Sequence, residues 1–320
     1  MYNLPFDQTG RFYKGNLHTH STRSDGGLEP SAVVAAYRER GYDFISLTDH
    51  FLPERHFRKN ADSVSFITVS DTRDLRTEPF TTILGAEIHG PAMKNGEPWH
   101  IVAAGLPLYF APLGEHETGL EIAERAHAAG AFIGIAHPAW NSLAIEDARS
   151  VAPLAHAVEI YNHGCMGEVD RGDGWYMSDQ LSAEGFRLSA YAADDAHFEF
   201  PFYPETWPQE AFGGWVQVKA ESLDPDALIT ALKAGHYYSS TGPIIHDITE
   251  EDDHLIVECT PAVQVFASGN GARFHRVRGG GITQAAISLA RFREHGFLRI
   301  TVVGEDGGRA WTNPIWLDSE

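Results

Sequence analysis

Gly15-Asn16-Leu17-His18-Thr19-His20, with Ser24-Asp25-Gly26 close behind, is the stretch from which the fold of this chain is read. A short apolar run ends in two imidazoles, and an acidic turn follows. The same arrangement returns downstream in Thr48-Asp49-His50, Gly85-Ala86-Glu87, Trp99-His100, Ala136-His137-Pro138 and Asp195-Ala196-His197. Imidazole nitrogen suits borderline divalent ions such as Zn²⁺, Mn²⁺ or Fe²⁺, and a carboxylate can bridge two of them. One His-x-His alone is a weak sign, since a lone histidine is more often packed in a core or solvated. A series of such fragments between positions 18 and 197, most of them at strand ends, predicts a polynuclear metal site.

Around these fragments, apolar runs alternate with helix-like stretches. Segment 30–40 is amphipathic, opens on Pro30 and stops at Gly41, and it leads into the apolar Phe44-Ile45-Ser46-Leu47. Residues 81–84, 101–104, 132–135, 157–161 and 187–191 read as short buried strands. Residues 120–129, 175–183 and 225–233 read as helices, two of them closed by Gly130 and Gly185 at the C-terminal cap position. The alternation predicts βα units in a largely parallel sheet or barrel. His18, His20, Asp49, His50, Glu87, His137, Asp195 and His197 then fall at or just beyond C-terminal strand ends. In a βα barrel, that rim is where chemistry is assembled. His100 is the exception, at the start of its strand. After about Thr241 the helices stop, and short strands are separated by turns such as Gly269-Asn270-Gly271. The expected division is 1–240 for the barrel and 241–320 for a small β-rich, sandwich-like domain.

The chain of 320 residues can bury a substantial core, and more than one domain is expected. With 43% hydrophobic and 21% charged residues its composition is that of a globular protein. The formal net charge of −20 argues against an extended nucleic-acid or anionic-membrane surface. It leaves a small phosphorylated substrate open, because two or three divalent ions in one cleft would reverse the local field. No apolar run is long enough for a membrane span, and residues 1–14 carry no secretory pattern. Only Cys165 and Cys259 are present, which gives no disulfide framework. A reduced, cytoplasmic setting is the expectation, and the oligomeric state is left open.

Taken together, His18-Thr19-His20, Ser24-Asp25-Gly26, Thr48-Asp49-His50, Glu87, His100, His137-Pro138 and Asp195-Ala196-His197 resemble the motif set of the PHP superfamily, named for its polymerase and histidinol-phosphatase members. The resemblance spans about 14–243. It implies an α/β fold, a distorted (βα)7-type barrel, with two or three divalent metal ions (Zn, Mn or Fe). The closing Tyr237-Tyr238-Ser239-Ser240-Thr241-Gly242-Pro243 and the β-rich tail look similar to a branch that includes carbaryl-hydrolase-like proteins. By the same resemblance, His18, His20, Glu87 and Asp195 would hold one metal. Glu87 would bridge to a second, completed by His100 and His137, and Asp25, His50 and His197 would form a third site. Many relatives have His where this chain has Asp25, so the third site is harder and would favour Mn²⁺ or Fe²⁺.

Other residues carry narrower expectations. Asp49 is assigned to orienting a ligand histidine, and Asp194 is ambiguous in the same way. Arg23, in the loop between His20 and Asp25, is either a two-pronged phosphate donor or a solvated loop residue. Trp140 and Asn141 are candidate pocket walls. Asn162 and His163, at a strand end, are candidates for substrate contact, and His163 is equally well read as structural. His89, two past Glu87, is a possible pocket residue. His56, His116, His127, His236, His246, His254, His275 and His295 read as surface or packing residues. No Gly-x-Ser-x-Gly elbow, Walker loop or dinucleotide fingerprint is present, and Gly279-Gly280-Gly281 reads as a turn.

The leading expectation is a metal-dependent phosphoesterase that hydrolyses a small phosphorylated substrate by a metal-activated hydroxide, with Glu87, Asp195, His197 and Asp49 at its catalytic centre. The alternative is a carboxylic-ester or carbamate hydrolase using the same metals. A third reading, a non-catalytic metal-stabilised binding module, does not account for so complete a ligand set. Cationic donors in the pocket would favour a phosphate monoester, and apolar walls a carbamate.

Overall fold

The computed structural model describes residues 2–52, 68–91, 93–114, 116–198 and 210–317; His56 lies outside them. Strands β1 (Arg11–Asn16), β2 (Phe44–Leu47), the two-residue β3 (His50–Phe51), β4 (Thr81–Gly90), β5 (Trp99–Ala104), β6 (Phe132–Ile135), β7 (Ala157–Asn162), β8 (Ser189–Ala193), β9 (Trp215–Ala220) and β10 (Tyr237–Ser240) come first. Between them lie helices α1 (Pro30–Glu39), α2 (Gly119–Ala128), α3 (Ile145–Val151), α4 (His163–Val169), α5 (Trp175–Ala183) and α6 (Pro225–Lys233). Then follow β11 (Ile245–Glu251), β12 (His254–Gly269), β13 (Phe274–Ser288), β14 (Phe297–Gly304), β15 (Arg309–Thr312) and β16 (Ile315–Trp316), with no α-helix among the described residues after 244.

All sixteen strands belong to a mixed α/β architecture with one large sheet. Its order is β11-β12-β14-β15-β10-β9-β1-β2-β4-β5-β6-β7-β8, with β13 on β12, β16 on β14 and β3 on β4. The β1–β2, β2–β4, β6–β7 and β7–β8 pairs are parallel. Strand β5 runs antiparallel to both β4 and β6, and β9 runs antiparallel to both β1 and β10. The sheet is therefore less parallel than the alternation suggests. A parallel return needs a crossover of a dozen or more residues, whereas only residues 91–98 separate β4 from β5.

Local sequence explains the helices. Helix α2 starts in a reciprocal capping box between Thr118 and Glu121 and buries Ile122, Ala123 and Ala126 at helical spacing. Helix α6 has Asp224 as N-cap and Pro225 in its first turn, and it buries Leu228, Ala231 and Leu232. Each such leucine contributes roughly 1.5–3 kcal/mol by leaving water. Gly130 and Gly185 follow α2 and α5 with φ of 92°, the left-handed region that a side chain disfavours.

Every residue of β2 and of β6 is buried, as expected of strands covered on both faces. One apolar cluster draws on each of β1, β2, β4 to β10, with Tyr13, Phe44, Ile83, Ala104, Phe132, Ala157, Tyr191, Val216 and Tyr237 among its members. At the end of the path β8 comes back beside β10: Ala192 N–H donates to Ser239 Oγ, and Ser239 Oγ–H donates to the Ala190 carbonyl, both at 3.0 Å.

The strands after residue 244 enclose their own cluster, including Ile248, Val257, Val265, Ile287, Phe292, Ile300 and Val302, to which Leu4 and Tyr238 also belong. Gly279-Gly280-Gly281 lies inside β13 rather than in a free turn; β12 and β13 slip register there, and Gly281 takes φ 64°. Cys165 and Cys259 are both buried free thiols. No helix among the described residues is long and apolar enough to cross a membrane.

Candidate metal centre

Three loop segments lie side by side where β1, β2 and β8 end. Thr48 N–H donates to the Thr19 carbonyl, His20 N–H to the Ala196 carbonyl, and Asp195 N–H to the His18 carbonyl. This lacing puts His18, His20, His50, Asp195 and His197 on one rim. Strand β3 then pairs His50 directly with Glu87 in β4. Strand β4 runs on to Gly90, so Glu87 stands within a strand rather than at its end. The antiparallel course of β5 explains His100: the start of this reversed strand lies at the same rim as the ends of its neighbours, opposite His89 in the ladder. His137 follows β6 and Asp195 follows β8, with φ of 20° and 57°. Two ligand candidates thus sit in sparsely populated backbone conformations, a cost that surrounding structure must sustain.

Glu87 is fully buried at the centre. Its Oε1 lies 2.8 Å from His100 Nδ1 and 3.1 Å from His137 Nε2. Its Oε2 lies 2.7 Å from His50 Nδ1, 3.3 Å from His89 Nε2, 3.6 Å from His18 Nε2 and 3.7 Å from His20 Nε2. Asp195 Oδ1 is 2.9 Å from His20 Nε2 and 3.1 Å from His18 Nε2. On the outer side, Asp25 is 3.1 Å from His50 Nε2 and 3.5 Å from His197 Nε2. Four overlapping groups emerge whose ligand atoms all lie within 4.8 Å of one another: His18/His20/Glu87/Asp195, Glu87/His100/His137, His20/Asp25/His50/His197 and His50/Glu87/His89.

The electrostatics fit cations. Burial opposes ionisation of Glu87 and Asp195, but the surrounding histidines outweigh it and hold both well below the usual carboxylate range. His50 is pushed up to about 10: burial works against it, and the Glu87 charge and the Asp25 hydrogen bond overcome that. His20, flanked by His197 and His50, falls to about 4, with burial the largest cause. Buried carboxylates on this scale need positive charge beside them. Moreover, His18 Nε2 and His50 Nδ1 lie beside Asp195 and Glu87 without the alignment of a hydrogen bond, and His137 Nδ1 has no partner among the described residues. Unpartnered imidazole nitrogens among ionised carboxylates are the donor set that a borderline divalent ion takes.

Behind the ligands stands Glu159, which the sequence reading passed over. It is fully buried in the middle of β7. His18 Nδ1 lies 3.0 Å from its Oε1, while Oε2 accepts from His137 N–H at 2.7 Å and from Asn162 Nδ2 at 3.0 Å. A histidine whose Nδ1–H is held by a carboxylate presents Nε2 to the metal. The signal was there: a lone carboxylate in the apolar run Ala157-Val158-Glu159-Ile160 can be buried only if it is paired.

Some narrower expectations are corrected, and those for Arg23, His163 and Asp194 fall to one of the alternatives left open for them. Asp49 meets no histidine among the described residues; its carboxylate accepts from Ser21 N–H and from the hydroxyls of Ser21, Ser24 and Ser70 at 2.7–2.9 Å, so it braces the loop that carries Asp25. Asn162 has no free polar group for substrate, since its amide donates to Glu159 and Asp195 and its oxygen caps α4 at Cys165 N–H. His163 turns to Tyr161, whose hydroxyl lies 3.0 Å from its Nδ1. Arg23 is exposed and lines a groove with Thr22, Glu29 and Asp71, apart from the histidine cleft. Asn141 is buried away from that cleft, its carbonyl accepting from Asn95. Asp194 is structural, accepting from Tyr37 Oη and from the N–H groups of Phe212, Gly213 and Gly214.

The cleft above the cluster holds about 210 Å³ and is lined by Asp25, His50, Glu87, His100, His137, Trp140, Gly164, Cys165, Glu168, Asp195 and His197. Trp140 covers one side, its ring 5.1 Å from that of His137 and 5.4 Å from that of His100. Elsewhere in the lining, burial pushes the Cys165 thiol up, so it stays protonated 3.8 Å from Asp195.

No protein-family model and no curated protein matches the sequence. Solved structures do match the fold. A two-domain protein from Bacteroides vulgatus containing a predicted PHP-like metal-dependent phosphoesterase aligns over 97% of this chain and 98% of its own, at 16% identity and a TM-score of 0.53. Looser matches are a candidate metal-dependent phosphoesterase from Bifidobacterium adolescentis (13% identity, 61% and 92% coverage, TM-score 0.39) and an amidohydrolase from Chromobacterium violaceum (14%, 57% and 87%, 0.38). Along nearly its whole length, therefore, this chain shares the fold of that two-domain protein, of which a PHP-like domain is one part.

Proposed function

We propose that this chain is a metal-dependent hydrolase of the PHP type that cleaves a small phosphate ester. The observation that supports it most is the convergence of three of the four ligand groups on the single buried carboxylate of Glu87. His18, His20, Glu87 and Asp195 would hold one ion, Glu87, His100 and His137 a second, and Asp25, His50 and His197 a third. The donor set suits Zn²⁺, Mn²⁺ or Fe²⁺. When bound, such ions supply Lewis acidity and lower the pKa of water from ~15.7 towards ~7.

The chain's own residues set the frame. Glu159 fixes the tautomer of His18, and Asp49 holds the loop bearing Asp25. Trp140 and the first turn of α4 wall off the cleft, leaving room only for a small substrate. Asp25, Glu87, Asp195 and Glu159, with Glu168 on the cleft wall, carry five formal negative charges, which two divalent ions leave short by one and three turn into a surplus of one. Full occupancy therefore favours an anionic ester. In this reading the first ten strands are the distorted barrel, residues 241–320 are a separate β-rich domain, and the protein works in the cytoplasm.

One observation favours the second reading, a carboxylic-ester or carbamate hydrolase: no Lys or Arg lines the cleft among the described residues. Hydrolysis of matched p-nitrophenyl phosphate, acetate and carbamate esters by Mn²⁺- or Zn²⁺-loaded protein separates the two. The phosphate is expected to turn over at least about tenfold faster, a difference of ~1.4 kcal/mol in barrier. Faster cleavage of the acyl esters selects the second reading, and failure to cleave any of them removes both.

A further inference from the structure

We propose that His89 is a positioning residue for the metal centre: it fixes the Glu87 carboxylate so that its two oxygens face two different sets of histidines. The inference rests on the metal-binding reading above but goes beyond its ligand set. Residues two apart on a strand share a face, so Glu87 and His89 both project from β4 into the cluster. In the antiparallel ladder His89 is directly opposite His100, which puts all three side chains on one surface. His89 is nearly fully buried, with its ring 3.9 Å from that of His100 and 4.4 Å from that of His50. Its Nε2 lies in hydrogen-bonding range of Glu87 Oε2, at 3.3 Å. It does not line the cleft, where His50, His100 and His137 do. That position suits a residue acting through Glu87 better than one touching substrate.

A glutamate on a strand has free side-chain torsions, and a carboxylate shared by two ions must hold one orientation for both. The Nε2–H of His89 would occupy one lone pair of Oε2 and leave the others for metal. Because the donor is on the same strand two residues away, its distance to Glu87 is set by the pleat. Loss of such a supporting hydrogen bond typically costs 10–100-fold in metal affinity. Here the loss should fall on both ions that share Glu87 and spare the one at Asp25 and His197.

The test is titration of metal-free protein with Zn²⁺ or Mn²⁺, by calorimetry and chelator competition, for the parent and for His89→Leu and His89→Gln. The parent should bind at least two ions. His89→Leu should weaken two of the binding steps together by about tenfold or more. His89→Gln, which restores a donor of similar reach, should recover most of that. If the leucine variant does not fold, His89→Asn, polar but one methylene shorter than Gln, takes its place. Unchanged affinities in His89→Leu, or weakening of a single step that Gln does not recover, would overturn the proposal. If the parent binds but the variants match it, only the role of His89 fails; if the parent binds no ion, the metal reading fails with it.

Discussion

Replacing Glu159 by glutamine removes one charge and almost no volume, yet the geometry of the site makes the change costly. Oε1 faces His18 Nδ1 and Oε2 faces two donors, the N–H of His137 and the amide of Asn162. A glutamine has one oxygen and one NH₂ to place. If the NH₂ takes the place of Oε1, His18 Nδ1 must accept, and the ring switches to the tautomer with a proton on Nε2. The nitrogen that faces Glu87 and Asp195 then stops being a ligand. If the NH₂ takes the other place, it confronts two donors, and the buried groups left unpaired cost about 1–3 kcal/mol. Either way, affinity for the ion at His18 should fall about 10–100-fold, ~1.4–2.7 kcal/mol. The ion at Asp25, His50 and His197, which touches none of these groups, should bind as before. Chelator competition with Zn²⁺ on parent and Glu159→Gln reads both steps. Affinities within about twofold of the parent for every ion would refute the argument that Glu159 sets the tautomer of His18.

Two further outcomes follow from the same geometry. Asp49→Ala strips the acceptor from Ser21, Ser24 and Ser70, so the loop carrying Asp25 should loosen. Mn²⁺ titration should show the weakest-bound ion lost while the ions at Glu87 remain, and thermal denaturation should show a loss of about 1–3 kcal/mol. His156 is depressed to about 4 by burial, then by His127 and Lys233, and its Nδ1 accepts from Ile133 N–H. Because the folded value is below the unfolded ~6.5, the unfolded chain binds the extra proton first. Stability from this group is full above about pH 6.5 and is lost as pH falls towards 4. Discounted for partial exposure, it is on the order of 1 kcal/mol. Denaturant melts of His156→Gln should show a shallower loss between pH 6.5 and 4 than the parent, and parallel curves would refute this.

Much of the site was legible because metal ligands are chemically conspicuous. Imidazoles and carboxylates that interrupt apolar runs at His18, His20, His50, His137 and Asp195 have few other reasons to be there, and the structure gathers them. What was not legible depends on direction and distance. Nothing local says that β5 runs backwards, so His100 looked misplaced until its strand was seen reversed between β4 and β6. The length of β4 hid as well, because the break expected after Leu84 does not occur. Supporting residues were harder still. Asp49 looks like a partner for its neighbour His50, but successive residues on an extended chain point apart, and its carboxylate reaches serines from two other segments instead. Asn162 and His163 suggested substrate contact from their place at a strand end, with a structural role equally open for His163, yet one caps α4 and the other meets Tyr161. The tail was recognisable as β structure from its turns, whereas the path of β13 through three glycines was not.

The central claim is that Glu87 organises a centre for more than one cation, and the most direct test is anomalous diffraction from crystals grown with Zn²⁺ or Mn²⁺. The account predicts at least two ions at the rim, one among His18, His20 and Asp195 and another between His100 and His137, with the Glu87 carboxylate touching both. A single ion, no ion, or two ions that do not share Glu87 would contradict it.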